Sequence, residues 1–450
     1  MPSNEAQPDK SKLRRAITGS AVGNATEWFD YGAFAYVATE ITDNFFPDFG
    51  FVGTALVFAI SFILRPLGGI FWGPLGDRIG RQRVLALTII LMAGATFCVG
   101  LLPTYHDIGF WAIILLVILR VIQGFSTGGE YGGAATYMAE TAPDNRRGFY
   151  GSFLEFGTIV GFTAAVGVVY VTELLIGAEA RGEWGWRIPF LIGVPIGLIG
   201  LYIRTKLEES PVFEELDHEN QVEGGAASAL KDLLSLFWRP ILTLMALVAA
   251  LNIANYTLLT YMPTYLTESA DFESTDADLL VIFGQVAMLI FIPIAGSLSD
   301  KIGRKPMWAG SFIGLIVLAV PMFILIGKGF WPAVIGFSVL GIFYVAQLAT
   351  ISATFPAMFP SQVRYGGMAI SYNISTAAFG GTALYVNDAL IKGTGNNLMP
   401  AFYMMAASVV GLVALFFVVE TAGKSIRGTE IPGTPESEAE LEELDKTAES

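Results

Sequence analysis

Gly73-Pro-Leu-Gly-Asp-Arg-Ile-Gly-Arg-Gln-Arg83 lies between two long apolar runs, and its outline returns as Gly296-Ser-Leu-Ser-Asp-Lys-Ile-Gly-Arg-Lys305 between two others. A glycine, leucine, aspartate, basic residue, glycine and arginine recurring in one order at two places mark an internal duplication. Further matches extend it. Pro143-x-x-x-Arg147 is echoed by Pro360-x-x-x-Arg364, and Leu207-Glu-Glu-Ser-Pro211 has a looser counterpart in Glu420-Thr421.

The flanking apolar runs make the duplicated chain a membrane protein. With 53% hydrophobic and 15% charged residues and a mean hydropathy of +0.57, it is too apolar for an ordinary soluble chain of 450 residues. A bilayer core about 30 Å thick takes roughly 20 apolar residues per helical crossing. Twelve stretches qualify, near 16–40, 52–74, 83–102, 109–138, 148–173 and 187–206, then 239–266, 277–298, 305–326, 332–355, 365–391 and 399–420. Lipid leaves backbone groups no partner outside the chain, so these stretches are expected to be helices. The division is therefore a 1–15 N-terminal segment, a 16–206 six-helix bundle, a 207–238 central loop, a 239–420 six-helix bundle and a 421–450 acidic tail. Twenty of the 26 Lys and Arg fall on one side of this arrangement, and only Arg181, Arg187, Lys328 and Lys392 on the other. The positive-inside bias then places both termini and the central loop in the cytoplasm of a cell with this protein in its inner membrane. No signal-peptide pattern opens the chain.

The net charge of −14 suggests no nucleic-acid partner, because residues 430–450 supply half of it through eight acidic residues set against Lys446. That segment reads as a solvated, mostly disordered tail. Glu268, Asp271, Glu273, Asp276 and Asp278 form a second acidic group, read as a solvated loop. Cys98 is the lone cysteine, and His106 and His218 fall between apolar runs, so no metal site, cofactor or enzymatic centre is expected.

Ionisable residues within the apolar runs concentrate in the first half: Glu27 and Asp30, Arg65, Arg120 and Glu130, and Glu155. Each costs at least about 2.5–3.5 kcal/mol at the bilayer centre unless paired, so such residues mark function by default. Four carboxylates face two arginines, which favours the neutral form of at least one carboxyl and makes this half the candidate for proton coupling. Glu27, Asp30, Tyr31 and Phe34 share one helical stripe, and Arg120, Gln123, Gly124, Thr127 and Tyr131 share another. The glycines from Gly124 to Gly133 are read as a close-packing surface.

The repeated loop resembles the signature of the major facilitator superfamily. "GNATEWFDYGAFAY" at 23–36, "FILRPLGGIFWGPLGDRIGRQR" at 62–83, "QGFSTGGEYGGA" at 123–134 and "EWGWRIPF" at 183–190 look like its metabolite–proton symporter branch. "LEESPVFEE" at 207–215, "YTLLTYMPTYL" at 256–266, "FPAMFPSQVRYGGMAISYNIS" at 355–375 and "NNLMPAFYMMAASVVGL" at 396–412 resemble the branch's proline and glycine betaine carriers more than its organic-anion carriers.

The resemblance implies an all-α integral membrane fold of twelve transmembrane helices in two pseudo-symmetric six-helix bundles. It also implies proton-coupled import of zwitterionic compatible solutes such as proline, glycine betaine and ectoine by alternating access, with a monomer as functional unit. Helices one, four, seven and ten line the cavity in that superfamily. Trp28, Tyr31, Phe34, Arg65, Arg120, Gln123, Tyr131, Asn252, Tyr256, Tyr344 and Tyr372 are then the expected substrate contacts, with aromatic faces for an ammonium and arginine for a carboxylate. Proton coupling is expected from Glu27, Asp30, Arg120, Glu130 and Glu155. Gly73, Asp77, Arg78, Gly80 and Arg81, with Gly296, Asp300, Gly303 and Arg304, form the expected conformational gate, in which Asp77 and Asp300 each bind donors on the opposite half. Symport of an organic anion and solute sensing without flux stay open as alternatives. The chain departs from its best-studied relatives after residue 428: Leu441, Leu444 and Ala448 offer barely two turns of stripe where those carry a long coiled coil.

Overall fold

The computed structural model describes residues 10–448 except 80, 129, 205–234, 362, 427 and 429, and within helices it leaves aside the side chains of 73–74, 76–86 and Glu130, among others. Helix one runs over Lys10–Tyr36, with a short helix Ala38–Phe45 after it. Helix two is split into Phe51–Ile63 and Arg65–Ile79, helix three is Arg81–Leu101, and helix four is described over Phe110–Thr127 and Glu130–Thr141. Helix five spans Arg147–Glu183 and helix six Ile188–Arg204. The second half repeats the count. Helix seven covers Trp238–Tyr256, Thr257–Tyr261 and Met262–Glu268, helix eight Ser274–Ile302, helix nine Arg304–Ile326 and helix ten Phe330–Leu348 with Ile351–Thr354. Helix eleven comprises Arg364–Ser375, Thr376–Gly380 and Ala383–Thr394, and helix twelve is Met399–Leu415.

Eight of these are long and apolar enough to cross a membrane by length and composition, and helices three and twelve supply shorter apolar stretches. Helix one falls short because Asn24, Thr26, Glu27 and Asp30 dilute it. Helix eleven falls short because Ser371, Asn373, Ser375, Thr376, Thr382 and Asn387 dilute it.

The packing shows the duplication at the level of partners. Helix one packs on five and six, three on four and six, and two on four. Helix seven packs on eleven and twelve, nine on ten and twelve, and eight on ten. Each pairing in the first half returns six helices later. Two of the contacts between halves, five against eight and eleven against two, also exchange under that shift. Bulky apolar residues such as Ile70, Leu175 and Phe416 point outward, while Glu27, Asp30, Arg65, Arg120 and Gln123 are buried. Polar groups inside and apolar groups outside suit a hydrocarbon solvent.

Close approach carries the first half. At Gly124 and Gly128 of helix four, an added Cβ would run into the Ser61 and Arg65 carbonyls of helix two. Small residues there let the backbones touch without side-chain bulk, which is the packing expected for these glycines.

Two readings need correction. Helix five continues ten residues past 173, bending at Gly177 (φ 83°), and thereby takes Glu173 and Arg181 into a buried layer. The segment read as mostly disordered contains a helix at Pro435–Ala448. Its start is well formed: Thr434 accepts from the Ser437 N–H (3.4 Å), Pro435 fills the first turn, and Glu436 and Glu438 sit at the positive end of the helix dipole.

Candidate functional site

Three polar layers lie along the interface of the two halves, one at its centre and one toward each end. The central layer begins with the helix-one stripe, whose spacing turns Glu27, Asp30, Tyr31 and Phe34 inward. Arg65, at the break in helix two, donates to Glu27 at 3.0 Å and to the Tyr31 hydroxyl at 3.3 Å. Asp30 accepts from Thr96 at 2.5 Å and from the Gln123 amide at 3.0 and 3.1 Å. The carbonyl of the same amide accepts from Arg120 at 2.9 Å, so Gln123 stands between Asp30 and Arg120. The guanidinium of Arg120 lies on the Phe34 ring, 4.2 Å from its centroid.

Glu155 on helix five accepts from the Tyr131 hydroxyl and from Thr158 at 2.9 Å. Asn24 donates to Thr158 at 2.6 Å and accepts from the Trp28 indole at 3.1 Å, which ties this carboxyl back to helix one. Among the described residues no ion pair reaches Glu155. The Tyr131 ring stacks on Tyr372 of the other half, with centroids 4.4 Å apart and planes 17° from parallel. Asn252 donates to Thr376 at 2.8 Å, and Tyr344 donates to Asn255 at 2.5 Å. The Tyr256 hydroxyl is buried and has no hydrogen-bond partner among the described residues. It precedes one π-turn, Thr257–Tyr261, and its ring lies against Gly380 of the other, Thr376–Gly380. Such wide turns leave backbone groups outside the regular ladder and recur at functional sites. The structure thus brings the described substrate and coupling candidates into one closed layer; the Glu130 side chain lies outside the described residues.

The end nearer residues 36–40 is closed by charge. Arg181 faces Glu40 at 2.6 Å and Asp278 at 2.9 Å, and also pairs with Glu173. Ser274 and Thr275 donate to Glu173 at 2.7 Å each, while Gln285 donates to the Tyr36 hydroxyl at 2.6 Å and that hydroxyl to the Leu259 carbonyl at 2.9 Å. Helices one and five are thereby tied to seven and eight. Asp278 is buried here, not part of a solvated loop. Sequence reading missed this layer because its members come from positions 40, 173, 181 and 278, with no local pattern linking them.

The opposite, basic end holds the second copy of the repeated loop. Asp300 accepts from the Gly148 and Phe149 N–H groups at 2.7 and 2.8 Å, capping helix five of the other half, and from Arg304 at 2.7 Å. Gly296 lets helix eight approach the Gly148 carbonyl and Ser152. Gly303 turns the corner at φ 104° against the Glu420 carboxylate, which accepts from the Arg304 and Lys305 N–H groups at 2.9 Å each. Gly73 falls in the second segment of helix two, while the side chains of Asp77, Arg78 and Arg81, and Gly80 as a whole, lie outside the described residues.

The repeated arginines match in geometry. Arg147 donates to the Ala139 carbonyl and Arg364 to the Pro356 carbonyl, each at 3.1 Å and each eight residues back. Arg364 also pairs with Glu140 across the halves at 3.0 Å. The segment after helix twelve crosses this end: its Lys424 carbonyl accepts from Arg147 at 3.1 Å, its Ile426 carbonyl accepts from Arg364, and Ile426 is buried with Ala139 and Ala357.

A chain that is so nearly two copies of one six-helix plan has close counterparts. It aligns at 42% identity over 437 residues with the proline/betaine transporter of Escherichia coli, covering 93% of this chain and 86% of that one. The glycine betaine/proline/ectoine/pipecolic acid transporter OusA of Dickeya dadantii is 42% identical over 446 residues, with 96% and 88% covered. The ectoine/proline transporter ProP of Corynebacterium glutamicum is 42% identical over 451 residues, with 97% and 89% covered. Among solved structures, the proton:xylose symporter XylE bound to 6-bromo-6-deoxy-D-glucose superposes with a TM-score of 0.75 at 19% identity, over 96% of this chain and 99% of that one. The twelve-helix fold is therefore that of the major facilitator superfamily. The model for sugar (and other) transporters matches residues 16–233 and again 212–431, once for each half, and the chain belongs to that family.

Proposed function

We propose that the protein imports zwitterionic compatible solutes, such as proline, glycine betaine and ectoine, together with protons by alternating access. The observation that carries this is the central layer. A buried carboxylate–guanidinium pair, Glu27 and Arg65, lies among aromatic faces, which offers opposite charges to the two ends of a zwitterion. The names of the relatives support the solute class. The buried carboxyls support the ion: Asp30 reaches Arg120 only through Gln123, and Glu155 is held by hydroxyls, so a proton neutralises either without breaking a direct ion pair.

In this reading the Arg181 layer and the Asp300 layer are the two gates, here both engaged around an occluded centre. Asp77 serves the first half as Asp300 serves the second. The repeat maps Gly148-Phe149 onto Tyr365-Gly366, whose N–H groups at the start of helix eleven are the expected donors. The basic end faces the cytoplasm, which puts both termini there, and a single chain suffices for the cycle.

Uptake of labelled proline and glycine betaine into liposomes, with and without an inward proton gradient, tests the proposal. Gradient-dependent accumulation that ectoine inhibits and 2-oxoglutarate does not is the expected result. Proton-driven uptake of organic anions alone would move the substrate class, and solute binding without flux would make the protein a sensor.

A further inference from the structure

Four rings close on one another in the central layer. Trp28 and Tyr31 lie 5.7 Å apart, Tyr31 and Phe62 4.9 Å, Phe62 and Tyr256 5.3 Å, and Tyr256 and Trp28 6.3 Å, all between centroids. An aromatic enclosure with a carboxylate at its edge is a receptor for an ammonium group. This one is already taken. The guanidinium carbon of Arg65 stands 4.6 Å from the Phe62 centroid, 4.7 Å from Tyr31 and 5.9 Å from Trp28, and its Nη2 holds Glu27 at 3.0 Å. Arg120 is held differently: it lies on Phe34 and binds Gln123 rather than a carboxylate.

We infer that the Arg65 guanidinium is a tethered occupant of the ammonium site, that substrate enters by exchanging with it, and that this exchange restricts the protein to cations that carry their own carboxylate. The inference rests on the zwitterion reading above and adds the residue that sets the class.

The charge balance gives the reason. With the site closed, Glu27 and Arg65 neutralise each other in a layer where both are buried. A zwitterion preserves neutrality: its ammonium takes the ring enclosure beside Glu27, and its carboxylate receives the displaced Arg65. A simple cation displaces Arg65 and leaves the guanidinium buried with nothing to pair, a heavily unfavourable outcome in low dielectric. Arg65 is also placed to move. It begins the second segment of helix two, and Pro66 beside it has no N–H to offer the Phe62 carbonyl, so the helix is weakest where the side chain must swing. The buried Tyr256 hydroxyl in the same enclosure, without a hydrogen-bond partner among the described residues, is a donor ready for the incoming carboxylate.

Glycine betaine and choline share a trimethylammonium head and differ in the carboxylate, so their binding to the full-length protein in nanodiscs, measured by calorimetry, reads the selectivity directly. The wild type should bind glycine betaine and reject choline by about a hundredfold, whereas Arg65→Met should lose at least about tenfold for glycine betaine and gain at least about tenfold for choline. Free guanidinium should compete with choline in that variant. Arg65→Lys, which keeps a cation in the enclosure, should go on rejecting choline. Should Arg65→Met yield no folded protein, Arg65→Gln, whose amide still reaches Glu27, carries the same measurement. Choline binding no better in the neutral variants than in the wild type, or equally improved in Arg65→Lys, overturns the inference while leaving the osmolyte reading intact. Failure of the wild type to bind glycine betaine overturns both.

Discussion

At the scale of single residues, the chemistry turns on which buried carboxyl has a cation and which has only neutral donors. Glu27 has Arg65, Asp30 has Thr96 and the Gln123 amide, and Glu155 has two hydroxyls. Asp30→Asn is therefore expected to keep solute exchange between equal concentrations and to lose accumulation driven by a proton gradient; counterflow and gradient-driven uptake in the same liposomes separate the two. Normal accumulation by this variant would remove Asp30 from the coupling path. Gln123→Leu breaks both ends of the Asp30–Gln123–Arg120 link and leaves buried Arg120, lying on the Phe34 ring, with Ser61 at 3.4 Å as its one hydrogen-bond acceptor among the described residues. It should cost about 2–4 kcal/mol of stability, checked by thermal unfolding of the purified protein. Gln123 could be placed on the Arg120 face from the sequence by counting turns. Its insertion between the two charges could not, because that requires helix one to lie against helix four, with Thr96 of helix three also accepting from the same amide at 2.9 Å.

Elements matter here through their interruptions. Helix two breaks at Leu64, and seven and eleven carry π-turns, so three helices are interrupted close to where the polar residues gather. Proline does not betray the π-turns, since neither Thr257–Tyr261 nor Thr376–Gly380 contains one. The helix-two to helix-four contact is the tightest test of the glycine reading. Gly128→Val puts two methyl groups where the Arg65 carbonyl stands, so the helices must part and the protein should fail to reach the membrane in folded form. Size-exclusion profiles of a fluorescent fusion would show this, and wild-type behaviour would disprove the close approach. The segment after helix twelve gives another test. Ile426→Glu places a charge between Ala139 and Ala357 and should loosen this end of the molecule, seen as faster labelling of single cysteines introduced beneath it on a Cys98→Ser background.

For the whole molecule, the question is what holds two pseudo-symmetric halves together on both sides of one site. One side relies on charge, with three carboxylates from both halves around Arg181. The other combines helix capping, with Asp300 reaching the start of helix five, and one ion pair across the halves, Arg364 with Glu140. Asp300→Asn removes the charge but keeps an acceptor, so it should lower the uptake rate by about tenfold with little change in surface expression. Equal loss of both would assign Asp300 to folding. Arg181→Gln leaves three carboxylates facing one another and should hold the site open toward that side, read as cysteine labelling from one side of the membrane only.

What the sequence determined by itself was the plan: a repeated loop in register, apolar runs of bilayer length, and charged residues concentrated in the first six helices. These follow from local rules, since a helix in lipid must satisfy its own backbone and each buried charge must announce itself as an exception. Tertiary structure alone decided the pairings. Arg65 chose Glu27 and the rings around it, Gln123 came between Asp30 and Arg120, and Arg181 drew in Glu40, Glu173 and Asp278. The first two are set when helices one, two and four pack within the first half, and the third is completed only when Asp278 of helix eight is brought against helix five from the other half.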